Sequence, residues 1–250
     1  MQYEIRPMSF GEILDTGFRL VRNHALLLIG CALPLYLPLA FAGEQINATN
    51  PTTRVVFGII PMLLIGLLSP IVTAALTLAI GEFYLGRSVT FAQAIRGALG
   101  MFVPLVGTFL LAGLAVIGGL LLLIVPGVYL ALCFYLATTI AVLEKVYGTK
   151  ALSRSRELMR GSLLRALGIV LLTWVVLVAL GAGVAFVLGL IPMLGPVGAG
   201  FVNAVSVAYF TAVSVVLYFD IRCRKEAFDL EHLATLVDGR IAPAVARATA

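Results

Sequence analysis

The chain has 250 residues, 61% hydrophobic and only 12% charged, with a net charge of +5 and a mean hydropathy of +1.09. Soluble domains carry about 25% charged residues, so composition alone excludes an ordinary soluble globular fold and a disordered chain. The apolar residues lie in uncharged blocks at 25–43, 55–81, 97–143 and 166–219, which sets the scale of the elements: roughly 20 apolar residues cross about 30 Å of hydrocarbon.

In chain order, Ser9-Phe10-Gly11-Glu12 opens a capped amphipathic helix over 9–22, because a hydroxyl N-cap followed three residues later by Glu satisfies two helix-end amides reciprocally. It leads into span one, 24–43, which carries Pro34 and Pro38 and makes them the hinge candidates. The small-x-small pattern at Ala40-Phe41-Ala42 resembles a cleavage site, but the acidic Glu4, Glu12 and Asp15 ahead of it favour a retained span over a signal peptide. Span two, 57–81, places Ser69, Thr73, Thr77 and Gly81 at four-residue intervals, a stripe on which helices approach closely. Thr90-Phe91-Ala92-Gln93 repeats the capping signature and predicts an interfacial helix over 90–99.

The third block is too long for one span and breaks at Pro126-Gly127, which gives spans three and four at 101–123 and 127–144. Next comes a basic amphipathic helix, 150–163. Its apolar arc is Ala151, Leu152, Ser155, Leu158, Met159, Ser162 and Leu163, and the pattern predicts a helix lying at the headgroup boundary. The fourth block breaks across 189–200, giving spans five and six at 166–188 and 198–219. Span six carries a small-residue stripe of Gly200, Ala204, Ala208 and Ala212, read as intramolecular packing rather than a dimer face. The tail beyond 219 continues as a charged helix, and 238–250 reads as disordered.

The expected architecture is therefore an all-α integral membrane protein. A single domain over 1–237 holds six transmembrane helices, arranged as three units of interfacial helix plus two-helix hairpin. All of the 17 Lys and Arg residues except Arg54 fall on one side of this threading. Basic loops stay in the cytoplasm, so both termini are expected to be cytoplasmic and the location a cytoplasmic (inner) membrane. The pI of about 9.3 follows from this border charge, which suits anionic lipid headgroups and gives no reason to expect nucleic-acid binding.

No Asp, Glu, Lys, Arg or His lies well inside a span, although such groups usually mark proton relays and intramembrane catalysis. The two histidines, His24 and His232, fall in the interfacial or cytoplasmic region, and no metalloprotease, nucleophile-elbow or phosphate-loop motif is present. The expectation is a protein without enzymatic activity, metal or cofactor. Buried hydroxyls such as Thr108, Thr173, Thr211 and Ser214 are expected to bond backbone within their own helices. The border carboxylates Glu12, Asp15, Glu82, Glu144, Glu157 and Asp220 are expected to pair with border arginines. Cys31 and Cys133 read as small hydrophobes within spans, and Cys223 as a thiol that impermeant reagents reach from the cytoplasm.

The differentiated surface is then the cytoplasmic rim, with Arg154, Arg156, Arg160, Arg165, Arg222, Arg224 and Lys225 as the candidate lipid or partner surface. Two functions fit: a scaffold or anchor for an unidentified protein partner at the inner leaflet, or a transporter or channel for a lipid or weakly polar solute.

Four segments carry a family resemblance: RPMSFGEILDTGFRLVR at 6–22, IVPGVYL at 124–130, ALSRSRELMRG at 151–161 and YFDIRCRKEAFDLE at 218–231. Together they resemble the bacterial membrane-domain family of glycerophosphoryl diester phosphodiesterases. The resemblance implies a membrane module that precedes a soluble phosphodiesterase barrel in some members and stands alone in others. The residues to 250 leave no room for that barrel, so no phosphodiesterase activity and no catalytic residue is carried over.

Overall fold

The computed structural model of the protein describes residues 6–47, 51–188 and 194–227. These form ten helices with no strand among them: α1 Phe10–Asn23, α2 Ala25–Asn47, α3 Pro51–Tyr84, α4 Phe91–Gly100, α5 Phe102–Leu122, α6 Ile124–Cys133, α7 Ala137–Leu143, α8 Thr149–Met159, α9 Leu163–Leu188 and α10 Gly195–Glu226. Six stretches are long and apolar enough to cross a membrane. They are Ala25–Gly43, Gly58–Tyr84, Phe102–Leu122, Ile124–Leu143, Leu163–Leu188 and Gly195–Glu226.

Both capping boxes form. Ser9 Oγ accepts from the Glu12 amide at 3.4 Å and Glu12 Oε2 accepts from the Ser9 amide at 2.6 Å. Thr90 and Gln93 reproduce the exchange at 3.4 and 2.9 Å. The amphipathic helices do not simply float on lipid, however. α1 buries Ile13, Gly17, Leu20 and Val21 against the bundle, and α8 buries Ala151, Leu152, Ser155, Leu158 and Met159. The apolar face of α8 is covered by α5, α6, α7 and α10.

α10 is the central element. It packs against α1, α2, α3 and α9, and touches α7 and α8. From Thr211 to Ile221 every residue is buried, and apart from Thr211, Ser214 and Asp220 the stretch is apolar or aromatic, as a helix enclosed on all sides requires. Together with the buried second half of α3, from Val72 to Tyr84, this places the core at the end of the bundle where the charged residues gather. Tyr84 stacks on Phe219 there, centroids 4.9 Å apart, and His24 stacks on Phe83 at 3.8 Å. The opposite ends of α3, α5 and α9 expose apolar side chains such as Met62, Leu121 and Phe186. The packing thus displays one enclosed helix, and a threefold arrangement of repeated units is not established by it.

Several boundaries differ from the expectation, each for a physical reason. The α5–α6 turn falls at the extended Leu123, not at Pro126-Gly127; Pro126 sits in the first turn of α6, where its missing N–H costs nothing. Gly127 is required there by close approach, since a Cβ would lie 2.8 Å from the Cα of Leu120. Span four is discontinuous: α6 ends at Cys133 and α7 begins at Ala137. No Pro or Gly marks that break. Ser155 Oγ donates to the Cys133 carbonyl at 2.8 Å and so satisfies a group the interrupted helix leaves open. α8 stops at Met159, and Gly161, at φ +81, turns the chain into α9, which begins at Leu163 rather than 166. α10, by contrast, runs on to Glu226, in line with the charged helical continuation expected beyond 219.

The stripes pack internally. Gly200, Ala204, Ala208 and Ala212 are buried, with Gly200 so close to α2 that a Cβ would lie 2.9 Å from the Cα of Leu37. On α3, Ser69 and Thr73 are half-buried and Thr77 is fully buried, while Gly81 abuts Leu143 of α7. Oγ1 of Thr77 is buried without a hydrogen-bond partner. Pro34 and Pro38 both lie on the exposed face of α2, which continues through them. The side chain of Arg54 and the tail from 228, with His232 and 238–250, lie outside the described residues.

Candidate functional site: an arginine-lined cleft at the charged end

Two polar knots fix the charged end. The first centres on Asp220, whose side chain is 1% exposed. Its Oδ1 accepts from the Met8 amide at 2.7 Å, its Oδ2 from Arg165 Nε at 3.0 Å, and both oxygens from Arg224 Nε at 3.1 Å. Arg165 and Arg224 also donate to the Met8 carbonyl, Arg224 at 2.8 Å. The segment before α1 is thereby tied to the start of α9 and the end of α10. A buried carboxylate without such partners would be strongly unfavourable, so the three elements are locked as a set.

The second knot is a closed ring across α7, α8 and α10. Arg154 Nε donates to Glu144 Oε2 at 3.2 Å, and Glu144 Oε1 accepts from Tyr218 Oη at 2.9 Å. Arg222 Nη1 donates to Tyr218 Oη at 3.3 Å and its Nε to Glu226 Oε2 at 2.8 Å; Glu226 Oε1 then accepts from Arg154. Burial works against the Arg154 charge, but its bonds to Glu226 and Glu144 prevail and raise its pKa above the ordinary arginine value. Lys225 Nζ closes the last turn of α8, donating to the carbonyls of Glu157, at 3.1 Å, and Arg160.

Five members of the expected basic surface, Arg154, Arg165, Arg222, Arg224 and Lys225, are therefore engaged within the protein. Arg156 and Arg160 differ. Both are exposed, and neither guanidinium has a hydrogen-bond or ion-pair partner among the described residues. They line a cleft of about 570 Å³ between α6, α8 and the start of α9. Its other walls include Tyr129 and Cys133 of α6, Ser153 and Glu157 of α8, and Leu163 of α9. Glu157 is 75% exposed and turns towards Arg154, 3.8 Å away, so the cleft keeps a net positive lining.

Helix geometry explains why these two arginines face outward. Ser155 and Leu158 point into the core and Arg154 is held by Glu144 and Glu226, which fixes the rotation of α8. At 100° per residue, 153, 156, 157 and 160 must then share the opposite face. The sequence places Arg156 and Arg160 on one helix face. It does not signal that Tyr129, about thirty residues earlier, stands across from them, because only the α6–α7 break and the fold bring α6 and α8 together.

Four buried hydroxyls elsewhere in the bundle are internally satisfied. Thr108, Thr173, Thr211 and Ser214 each donate to the carbonyl four residues earlier, as expected, at 2.7–2.8 Å. Thr108 also accepts from the Gly148 amide at 2.7 Å, and Tyr135 and Ser214 share a 2.6 Å hydrogen bond. All three cysteines are buried, which corrects the reading of Cys223 as an accessible thiol. No group of three His, Cys, Asp or Glu that could hold a metal occurs among the described residues.

A family model described as "Domain of unknown function (DUF8558)" matches residues 113–233, which include every wall of the cleft. No curated protein and no solved structure matches the chain.

Proposed function

We propose that the protein is a multi-pass cytoplasmic-membrane protein that works by binding at the inner leaflet rather than by catalysis, holding an anionic group in the α6–α8–α9 cleft. One observation carries this reading: Arg156 and Arg160 line a fixed cleft and have no hydrogen-bond or ion-pair partner among the described residues, while the neighbouring basic residues are engaged within the protein. Guanidinium groups present fork-shaped donors suited to carboxylate and phosphate oxygens. The threading of basic residues supports a cytoplasmic position for this end and for both termini. The resemblance to the phosphodiesterase membrane domains adds the idea of a membrane module and no activity. A broad basic docking patch for a protein partner is less favoured, since five of its seven residues are occupied.

The test is a comparison of wild type with an Arg156→Gln, Arg160→Gln variant, both purified with native lipid. The variant should lose anionic species that the wild type retains. If every co-purifying lipid, anion and protein were unchanged, the reading would fall.

A second reading has one observation in its favour. Span four is discontinuous at 134–136, and interrupted helices recur at the sites of transporters. It predicts that protein in vesicles speeds the movement of a fluorescent phospholipid between leaflets. No acceleration over protein-free vesicles sets it aside.

A further inference from the structure

We infer that the cleft is a binding site for one anionic phospholipid of the adjacent leaflet, with the headgroup phosphate held between Arg156 and Arg160 and the acyl chains lying on the outer faces of α6 and α9. This rests on the reading of the cleft as an anion site and adds the identity of the anion.

The surroundings of the cleft argue for an amphiphile over a soluble ion. Leu163 lines it, and the next residue, Leu164, is 85% exposed. Farther along α9, Leu171 and Leu172 are exposed, and on α6 Val128 and Tyr129 are exposed beside the same opening. Apolar surface therefore continues directly from a cationic pocket on the flanks of two membrane-crossing segments, α6–α7 and α9. A free phosphate would use only the arginines. A phospholipid uses both, because its charged and apolar parts are joined at the spacing that the cleft and the helix flanks provide.

Size and preorganisation agree. A volume of about 570 Å³ lies within the roughly 300–1,000 Å³ range of small-ligand sites, enough for a phosphodiester with a small polar headgroup. Arg160, the C-cap of α8, follows Arg156 by four residues, a spacing that brings neighbouring side chains to the same oxygens. α8 cannot rotate away, since Arg154, Ser155 and Lys225 pin it from the other side. Tyr129 supplies an amphipathic ring where interfacial aromatics commonly sit. Glu157 lies on the rim of the same cleft and disfavours a second negative charge there, which points to a singly charged headgroup.

The experiment uses the full chain in nanodiscs of phosphatidylcholine and phosphatidylglycerol in equal amounts, released into the gas phase for native mass spectrometry. Wild type should retain phosphatidylglycerol in preference to phosphatidylcholine. Arg156→Gln with Arg160→Gln should lower that retention by about tenfold or more, the weight of two basic residues lost at an anionic surface. Ser153→Trp, which fills the cleft and keeps both charges, should lower it as well and remains informative if the arginine variant does not fold. Arg96→Gln, on the exposed face of α4, should leave it unchanged. Equal retention of the two lipids, or an equal loss with Arg96→Gln, would overturn the inference. If inorganic phosphate raises the melting temperature of wild type but not of the arginine variant, and no lipid is retained, the anion site stands and the phospholipid does not. If neither phosphate nor lipid distinguishes the variants, both readings fall.

Discussion

The amide of Met8 donates a 2.7 Å hydrogen bond to Oδ1 of Asp220, across 212 residues of sequence. Arg165 and Arg224 complete the environment of that carboxylate, so the segment before α1 is part of the same polar unit as α9 and α10. Asp220→Asn keeps an acceptor for Met8 but leaves two guanidinium groups without their counter-charge. Breaking a buried pair from one side costs about 3–5 kcal/mol, and the partial exposure of Arg165 and Arg224 puts the expected loss near the lower figure. A thermal melt in detergent measures it, and proteolysis should cut near Arg6 in Asp220→Asn faster than in wild type. An unchanged melt with unchanged protection would refute the role of the knot.

Arg154 and Glu226 belong to a ring that crosses three helices, which makes their energies interdependent. A double-mutant cycle of Arg154→Ala and Glu226→Ala should return a coupling of about 0.5–3 kcal/mol, the range for residues sharing one network. Tyr218→Phe removes a hydroxyl that accepts from Arg222 and donates to Glu144, and should reduce that coupling. Additive single losses would mean the ring is only a surface arrangement.

Gly200 meets the backbone of Leu37 so closely that any side chain must separate α2 from α10. Gly200→Val should destabilise the bundle by about 1–3 kcal/mol through overpacking. Gly113→Val, at a position where a Cβ meets nothing within 4 Å, should have a much smaller effect. Equal melting temperatures for the two variants would contradict the α2–α10 packing.

Two groups outside the spans give separate acid windows. Burial holds the His24 pKa below its ordinary 6.5, so the fold favours neutral His24. That contribution is complete above about pH 6.5 and is lost as the pH falls below it. Glu12 is held down to about 2 from 4.5 by its bond to the Ser9 backbone and then by Arg6. Its contribution is complete above about pH 4.5 and fades towards pH 2. Melts in a pH series should show an early decline that His24→Gln removes and a later one that Glu12→Gln removes. A His24→Gln profile identical to wild type between pH 7 and 5 would exclude the first.

Because all three native cysteines are buried, an introduced thiol gives a clean report of orientation. Ser153→Cys, on the exposed face of α8, should react with an impermeant maleimide only when the cytoplasmic side is opened. Labelling in intact cells would reverse the threading.

The sequence by itself determined the number and kind of the long helices and the capped starts of α1 and α4. Block length, charge and N-cap chemistry are local quantities, legible without knowing what packs against what. The small-residue stripe of α10 was legible as a close-packing face, though not as the contact with Leu37. Only the tertiary structure decided the break after Cys133, because Ser155, from another helix, satisfies the carbonyl that the break exposes. The same holds for the basic rim. In sequence, Arg154, Arg156, Arg160 and Arg165 look alike, since each is a charge near a membrane border. Folding divides them by what lies within a few ångströms: Glu144, Glu226 and Asp220 take Arg154 and Arg165 into internal networks, and the rotation this imposes on α8 leaves Arg156 and Arg160 facing the cleft.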